Sequence, residues 1–218
     1  MYIPNHYNEE EWDLKEQIIK KYPLGTLITS SKDGGIIANH IPFFLFQDES
    51  SGKYFLQAHI ARKNHQIPSL KSEDNALVVF QSHDSYISPS YYATKQETHK
   101  VVPTWDFASV HVYGKPEIVD DAQFVRRQLE NFTNQQEKKR AVPWAVDEAP
   151  EKYLNILQKS IIGLQIEIER TECKYKFEQK MKREDIDGVI EGLAKDNLPE
   201  VSEFVKSSNK KAEETVKS

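Results

Sequence analysis

The chain has 218 residues, 38% of them hydrophobic, which is enough for one sizeable barrel or sandwich, or a small two-part protein, with a genuine core. The formal net charge of −5 gives no general attraction to nucleic acid or anionic lipid, and no apolar run approaches the roughly 20 residues needed to cross a bilayer. The N-terminal stretch lacks a signal-peptide pattern and Cys173 is the only cysteine, so we expect a reduced, intracellular, soluble protein, cytoplasmic or alternatively nuclear.

The predicted elements are a helix, several hairpin-linked strands, two helices and a closing strand. Apolar residues at helical spacing predict a first helix over residues 8–22. An Asp-Gly-Gly turn between two apolar runs predicts a hairpin over 24–46. The later predicted elements are a strand at 53–61, a polar helix at 62–74, one or two strands at 75–88, a long strand at 99–114, helices at 120–132 and 148–160, and a last strand at 161–177. This order predicts a mainly β fold, an antiparallel barrel with peripheral helices.

The C-terminal residues differ in composition from the rest of the chain. Residues 1–195 are predicted to form the folded domain, whereas residues 196–218 are charged and poor in large apolar side chains. Such a composition predicts a frayed helix or a disordered tail. A basic interaction tail is the alternative, but lysine and glutamate are mixed in this segment.

The long predicted strand at 99–114 has two faces that both need cover. Ala108, Val110 and Val112 alternate on one face and suit a barrel interior. The opposite face carries Trp105, Phe107, His111 and Tyr113. A strand with one solvent-exposed face would instead alternate apolar with charged or plainly polar residues.

A basic turn is the strongest candidate for a binding site that the residues themselves indicate. Arg62, Lys63 and Asn64 are predicted to open a helix, where backbone N–H groups, a guanidinium and an ammonium would suit a phosphate. A solvated basic turn is the alternative. Asn39 and His40 lie in the preceding hairpin and could approach this turn.

The remaining motifs are weak or absent. Ser88 lies in a hydroxyl-rich stretch that could donate to a polar ligand or form an ordinary turn. The histidines lack zinc-protease spacing, and no metal site is predicted. No phosphate-binding loop, dinucleotide fingerprint or serine-hydrolase elbow is present in the sequence.

Seven stretches together resemble, in order and spacing, the PaiB-type FMN-binding negative transcriptional regulators, a family of the FMN-binding split-barrel group that also contains pyridoxamine phosphate oxidase-like proteins. The stretches are MYIPNHY, ANHIPF, AHIARKNH, VVFQSHDSYISPSYY, HKVVPTWDFASVHVYG, AVPWAV and YKFEQKMKREDIDGVIEGL. The resemblance covers residues 1–195. It implies an antiparallel FMN-binding split β-barrel that forms a homodimer, with FMN in clefts between the subunits.

The resemblance also implies roles for individual residues. Arg62 and Lys63 would bind the flavin phosphate, with Asn64 nearby. The other implied cofactor-binding residues are Asn39, His40, His59, Gln81, Ser88, Lys100, Thr104, Trp105 and Lys176. The aromatic face of the long strand would meet the partner subunit and the flavin region. No catalytic residue is assigned, although His40 and His111 are the nearest candidates for an acid or base.

Two departures from the family pattern stand out. Family members usually have Asn where this chain has Asp106, and Ser and Asn where it has Glu178 and Lys180. A negative charge near a flavin would disfavour its anionic reduced form. The changes at residues 178 and 180 remove two possible polar contacts to the cofactor.

Three functions stay open at this point. The resemblance implies a flavin-dependent regulator, but no helix-turn-helix, zinc-finger or basic-helix pattern is present in the sequence, so direct nucleic-acid binding is not expected. An FMN-dependent oxidoreductase or oxidase on a small molecule is the alternative, because the fold group includes oxidases, flavin reductases and haem-degrading proteins. The third is a structural dimer that has lost its cofactor.

Overall fold

The structure is a computed structural model that describes residues 1–31, 33–72 and 75–215 of the chain. Its strands are β1 (Leu24–Ser30), β2 (Ile36–Pro42), β3 (Phe44–Gln47), β4 (Tyr54–Ala61), β5 (Ala76–Gln81), β6 (Ser85–Ile87), β7 (Thr104–Gly114), β8 (Pro116–Val119), β9 (Ile161–Glu167) and β10 (Arg170–Lys176). Its α-helices are α1 (Trp12–Lys21), α2 (Ile67–Ser72), α3 (Thr94–Thr98), α4 (Ala122–Glu137), α5 (Glu151–Gln158), α6 (Arg183–Lys195) and α7 (Pro199–Thr215). Within the described ranges, no helix combines the length and the apolar character needed to span a membrane.

The chain divides into two compact units. The central unit comprises Ile19–Phe80 and His111–Thr171. The terminal unit comprises Met1–Ile18, Gln81–Val110 and Glu172–Ser218. The terminal unit is therefore assembled from three segments that are distant in sequence.

Two antiparallel sheets form the central unit. β1 pairs with both β2 and β5, and the second sheet has the strand order β3-β4-β9-β8. β1 alternates between buried and less buried residues, as expected for a strand with one covered face, and Leu27 of β1 and Leu56 of β4 are fully buried. α4 packs closely on β9 because Gly163 has no side chain: a Cβ there would lie 2.5 Å from the ring of Phe124. The same helix begins with Asp121, whose carboxylate accepts hydrogen bonds from two backbone N–H groups.

The terminal unit combines a small sheet with helices. β6 pairs with β7, placing Tyr86 opposite Trp105, and β10 lies beside β7. Asn8, in the first segment of this unit, forms an isolated antiparallel β-bridge with Lys174 of β10. Two stacked aromatic rings, Phe177 and Phe204, lie with centroids 5.0 Å apart and fix α7 against the end of β10.

Several boundaries differ from the predicted elements. The polar helix predicted at 62–74 is α2, which begins only at Ile67, and its last two predicted residues, 73 and 74, lie outside the described part of the chain. The strand predicted at 99–114 begins at Thr104, because His99 ends α3 in a left-handed conformation with φ of 55°. The strand predicted at 161–177 is interrupted after Glu167, where Glu169 N donates to Tyr113 O instead of continuing the ladder.

The segment predicted as a charged tail begins with α7. Val201 and Val205 are buried, and the side-chain amide of Asn209 donates to the carbonyl oxygen of Phe177 over 2.9 Å. The charged composition of the segment conceals this short apolar stripe at helical spacing. The division of the chain at residue 195 falls between α6 and α7, which pack against each other.

Candidate functional site

The residues that the family resemblance implied as cofactor ligands divide between the two units. Those in the central unit are Asn39, His40, His59, Arg62, Lys63 and Asn64. Those in the terminal unit are Gln81, Ser88, Lys100, Thr104, Trp105 and Lys176.

The basic turn, residues 62–64, connects β4 to α2 and is not the start of a helix. Its backbone is already partly used, since Arg62 N donates to Ser160 O and Asn64 N donates to Ala61 O, both over 2.9 Å. The predicted anion site on helical N–H groups is therefore wrong at these two positions. The side chains of Arg62 and Lys63 remain exposed, so charge on the side chains is what this turn offers an anion.

The guanidinium of Arg62 is held by Asp120. Its two terminal nitrogens donate to the two carboxylate oxygens over 3.0 and 2.6 Å, which is the bidentate geometry of an arginine–carboxylate pair. Hydrogen bonding to this carboxylate raises the pKa of Arg62, and hydrogen bonding to the guanidinium lowers the pKa of Asp120. The pair is exposed, with 41% and 64% of the two side chains accessible to solvent. From the sequence, the Asp pair at 120 and 121 was expected only to cap the following helix. In the structure, Asp121 caps α4, whereas Asp120 binds Arg62.

Gln66 joins the basic turn to β2, and sequence reasoning missed it. Its backbone N–H donates to Asn64 Oδ1 over 2.9 Å, and its Oε1 accepts from Asn39 Nδ2 over 2.7 Å. Its Nε2 donates to Thr29 Oγ1 over 3.0 Å. The structure therefore brings Asn39 to the turn as expected, but through an intervening glutamine. No local periodicity could have indicated this, because the glutamine lies in an irregular segment.

His40 and His59, the two histidines implied as cofactor ligands, have no hydrogen bond to this network among the described residues. His40 is exposed on β2, opposite Thr26 of β1. His59 Nδ1 lies 2.8 Å from Oε1 of Gln128, so it faces α4. Gln128 is buried, and its Nε2 has no hydrogen-bond partner among the described residues.

In the terminal unit, Asp84 accepts hydrogen bonds from two of the residues implied as cofactor ligands. Gln81 Nε2 donates to Asp84 Oδ2 over 2.8 Å, and Trp105 Nε1 donates to Asp84 Oδ1 over 3.0 Å. The indole ring of Trp105 packs edge-on against Tyr86, with centroids 6.1 Å apart, yet half of the residue (51%) stays exposed. This places an exposed aromatic pair beside a carboxylate.

Lys176, itself implied as a cofactor ligand, donates hydrogen bonds to two further residues of that set in the terminal unit. Its ammonium donates to Thr104 Oγ1 over 2.8 Å, to the carbonyl oxygen of Trp105 over 2.7 Å and to Asp106 Oδ1 over 3.1 Å. Ser88 is used as a cap, its hydroxyl accepting from Ser90 N. Lys100 follows α3 in the exposed segment before β7 and is not joined to either cluster.

Residues 1–170 match the family described as "Putative FMN-binding domain". The chain belongs to this FMN-binding family. It is 44% identical over 158 residues to the uncharacterized protein YKL070W of Saccharomyces cerevisiae, covering 64% of this chain and 92% of that protein. It is 29% identical over 208 residues to the Bacillus subtilis "Protease synthase and sporulation protein PAI 2", covering 94% of each, which confirms the resemblance to the PaiB type.

A solved structure confirms the expected fold of this FMN-binding family member. The FAD and heme binding protein from Mycobacterium smegmatis is similar with a TM-score of 0.59 and 16% identity, covering 83% of this chain and 79% of that one. The antiparallel split β-barrel with peripheral helices is thus the fold of the chain. Membership of an FMN-binding family supports a flavin as its cofactor.

The two departures from the family pattern meet in the terminal unit. Asp106 is fully buried and Glu178 nearly so. Burial, and after it the negative charge of Glu178, raises the pKa of Asp106 far above its ordinary value, against the opposing effect of Lys176. Tyr92 donates its hydroxyl to Glu178 Oε2 over 3.0 Å, and burial raises the pKa of this tyrosine, with the charge of Glu178 as the second cause. The departures at residues 106 and 178 therefore form one buried carboxyl pair, in which Asp106 also contacts the ammonium of Lys176.

Proposed function

We propose that this protein binds FMN with its phosphate at the basic turn, forms a homodimer, and acts as a flavin-dependent regulator. The observation that carries the proposal is the bidentate Arg62–Asp120 pair on the exposed turn. It supports the proposal because the turn already holds an oxyanion in the geometry that a phosphate would use.

The residues of the turn fit a phosphate. The carboxylate of Asp120 stands in for two oxygens of such a group, and it is exposed enough to move into water when a dianion replaces it. Lys63 adds a second exposed cation beside Arg62. Asn39 supplies an amide on β2, which Gln66 links to the turn. These groups would bind and orient the cofactor, whereas the flavin itself would supply the electron-transfer chemistry.

A homodimer is supported by the exposed aromatic pair of the terminal unit. Trp105 and Tyr86 expose about half of their surface, and such half-exposed aromatic side chains are typical anchors of protein interfaces. Val102, three residues before Trp105, exposes 75% of its surface and would extend the same apolar face. We place the partner subunit on this face.

A regulatory role is supported by one relative, and the net charge bears on how such a role would be exerted. The chain carries a net charge of −5, which opposes approach to nucleic-acid phosphates. The PAI 2 relative is named for protease synthesis and sporulation. We therefore propose that the oxidation state of the flavin is passed to a protein partner and not to DNA directly.

The first test is cofactor content and affinity. Freshly purified protein should show flavin absorbance, and mass spectrometry should identify FMN in the material released on denaturation. In a titration of the flavin-free protein, Arg62→Ala should weaken FMN binding by about 10- to 100-fold, the worth of a charge-assisted hydrogen bond. Arg183→Ala is the matched control, because Arg183 forms a similar exposed bidentate pair with Asp187 in the terminal unit. Equal affinity of wild type and Arg62→Ala, or no binding by wild type, would contradict the proposal.

A second test separates the regulator from an FMN-dependent oxidoreductase. The protein is reduced anaerobically with a nicotinamide donor and then mixed with candidate small-molecule acceptors. A regulator should be reduced and reoxidised without sustained turnover. Steady consumption of the donor in proportion to an acceptor would assign an oxidoreductase instead.

A further inference from the structure

Gln66 is a fully buried polar side chain in the central unit, between the basic turn and α2. A buried amide that failed to form its hydrogen bonds would be costly, so its partners define how it is oriented. The Gln66 amide forms hydrogen bonds with β1 and β2 at one end and with Asn39 at the other. Together these bonds determine which atom of the Asn39 amide is available to a ligand.

The orientation of the Gln66 amide follows from its acceptor partners. Its Nε2 lies 3.4 Å from Leu27 O, 3.4 Å from Ile37 O and 3.0 Å from Thr29 Oγ1. Backbone carbonyls can only accept hydrogen bonds, so the NH₂ group of the amide must face them. The reversed amide would place its oxygen against two carbonyl oxygens. Oε1 therefore faces Asn39.

The orientation of Asn39 follows in turn. Because Oε1 of Gln66 can only accept, Asn39 must present its NH₂ group to it, and the two atoms lie 2.7 Å apart. The amide oxygen of Asn39 then points away from Gln66. Asn39 is half-buried, and among the described residues no protein group donates to this oxygen.

We propose that Gln66 is a positioning residue that turns Asn39 so that its Oδ1 accepts a hydrogen bond from an N–H or O–H group of the bound flavin. The inference rests on the proposed function and deepens it. It assigns to Asn39 the recognition of a donor on the ring or sugar-alcohol part of the ligand, while Arg62 and Lys63 take the phosphate. The backbone N–H of Gln66 also holds Asn64 Oδ1, so one residue fixes both parts of the site.

The test compares FMN with riboflavin, which lacks the phosphate. Gln66→Met keeps the approximate volume of the side chain but removes the amide that bonds Thr29 at one end and Asn39 at the other. It should weaken binding of FMN and of riboflavin by the same factor, about 3- to 10-fold, the worth of a neutral hydrogen bond. Arg62→Ala is the matched control, because it should weaken FMN but leave riboflavin affinity unchanged.

A double-mutant cycle separates positioning from general loosening of the structure. If Gln66 acts through Asn39, then Asn39→Ala should weaken both ligands, and adding Gln66→Met to it should have little further effect. Additive losses, or a loss confined to FMN, would overturn the inference. Should Gln66→Met fail to fold, Thr29→Val removes one anchor of the Gln66 amide and should produce a smaller loss, again equal for the two ligands; an unchanged affinity for both would overturn the inference.

The outcome for wild type keeps the two proposals distinct. Wild-type protein that binds neither flavin contradicts the proposed function and this inference with it. Wild-type protein that binds both, with unchanged affinities in Gln66→Met, contradicts the role of Gln66 alone.

Discussion

The ammonium of Lys176 lies 3.1 Å from Oδ1 of Asp106, a carboxyl group that has no contact with solvent. A second buried carboxyl, Glu178, faces the same aspartate, so its negative charge opposes the ionisation of Asp106. Ionising both acids would place two like charges close together in a dry interior, which is energetically costly. This arrangement makes the stability of the terminal unit dependent on pH.

Asp106→Asn should remove that dependence. Burial first, and Glu178 second, raise the pKa of Asp106 from 3.8 to about 8, so the native state holds a proton that the unfolded chain releases. The contribution of Asp106 to the stability of wild type is greatest below the pKa of the unfolded chain and declines as the pH rises towards about 8. Across that window, the free energy of unfolding of Asp106→Asn should rise relative to wild type, by up to about 1.4 kcal/mol for each pH unit. Denaturant unfolding at a series of pH values measures the difference.

Asp187→Asn is the control for this measurement, because Asp187 is a half-exposed carboxylate paired with Arg183 in the same unit. Its stability difference from wild type should be small, because an exposed ion pair contributes little to stability. A difference between Asp106→Asn and wild type that is flat from acid to alkaline pH would contradict the raised pKa.

Asp120→Asn should strengthen FMN binding. The substitution weakens the internal anion that holds Arg62, so the phosphate no longer has to displace a carboxylate. We expect affinity to increase by about 3- to 10-fold, a fraction of the strength of a charge-assisted hydrogen bond. Titration with FMN measures the change, and riboflavin should show none. Weaker FMN binding in this variant would indicate that Asp120 positions Arg62 instead of competing for it.

Gly192→Ala should destabilise the protein although alanine is the better helix former. A Cβ at position 192 of α6 would lie 2.2 Å from the ring of Tyr91, and one at position 188 would lie 2.1 Å from the carbonyl oxygen of Tyr91. We expect Gly192→Ala to cost about 1–3 kcal/mol, as overpacking does. In a Tyr91→Ala background the ring is gone, and the same change should be neutral or stabilising by up to about 1 kcal/mol.

Gly188→Ala is the control for the comparison of Gly192→Ala in the wild-type and Tyr91→Ala backgrounds. Its clash is with the backbone of residue 91, which Tyr91→Ala retains, so its destabilisation should persist in both backgrounds. Thermal unfolding of wild type, the three single variants and the two double variants measures both effects. Equal rescue of the two glycine substitutions would show that the ring is not what limits the approach of α6.

Trp105→Ala should weaken the proposed homodimer. Trp105 is half-exposed and, with Tyr86, forms the aromatic pair that we place against the partner subunit. Removing a central aromatic anchor should raise the dimer dissociation constant by at least about 30-fold. Sedimentation over a range of concentrations measures it. Trp144→Ala is the matched control, because Trp144 has similar exposure (44%) but lies in the central unit; equal effects of the two substitutions would argue against the chosen face.

The features that sequence predicted well are those with a local cause. The β1–β2 hairpin follows from the Asp-Gly-Gly turn, and the cap of α4 follows from the Asp pair before it. Ala108, Val110 and Val112 are fully buried, as their alternation predicts.

The features that sequence missed depend on contacts between distant segments. Asp106 lies at an even position of β7, in line with the three buried apolar residues, but its burial makes sense only with Lys176 and Glu178 beside it. Gln66 likewise matters because of Asn39 on another strand. Periodicity along one segment carries no information about such pairings, since they are fixed by tertiary packing and not by local preference.

The bridge between Asn8 and Lys174 has a consequence for biosynthesis. On the ribosome, Asn8 emerges well before Lys174, because 165 residues separate the two along the chain. The central unit can collapse during elongation, whereas the terminal unit has to wait for its third segment, and closing so long a loop is slow. Until then its apolar surfaces are exposed to solvent, so chaperone assistance would be needed most by this late-closing part of the nascent protein.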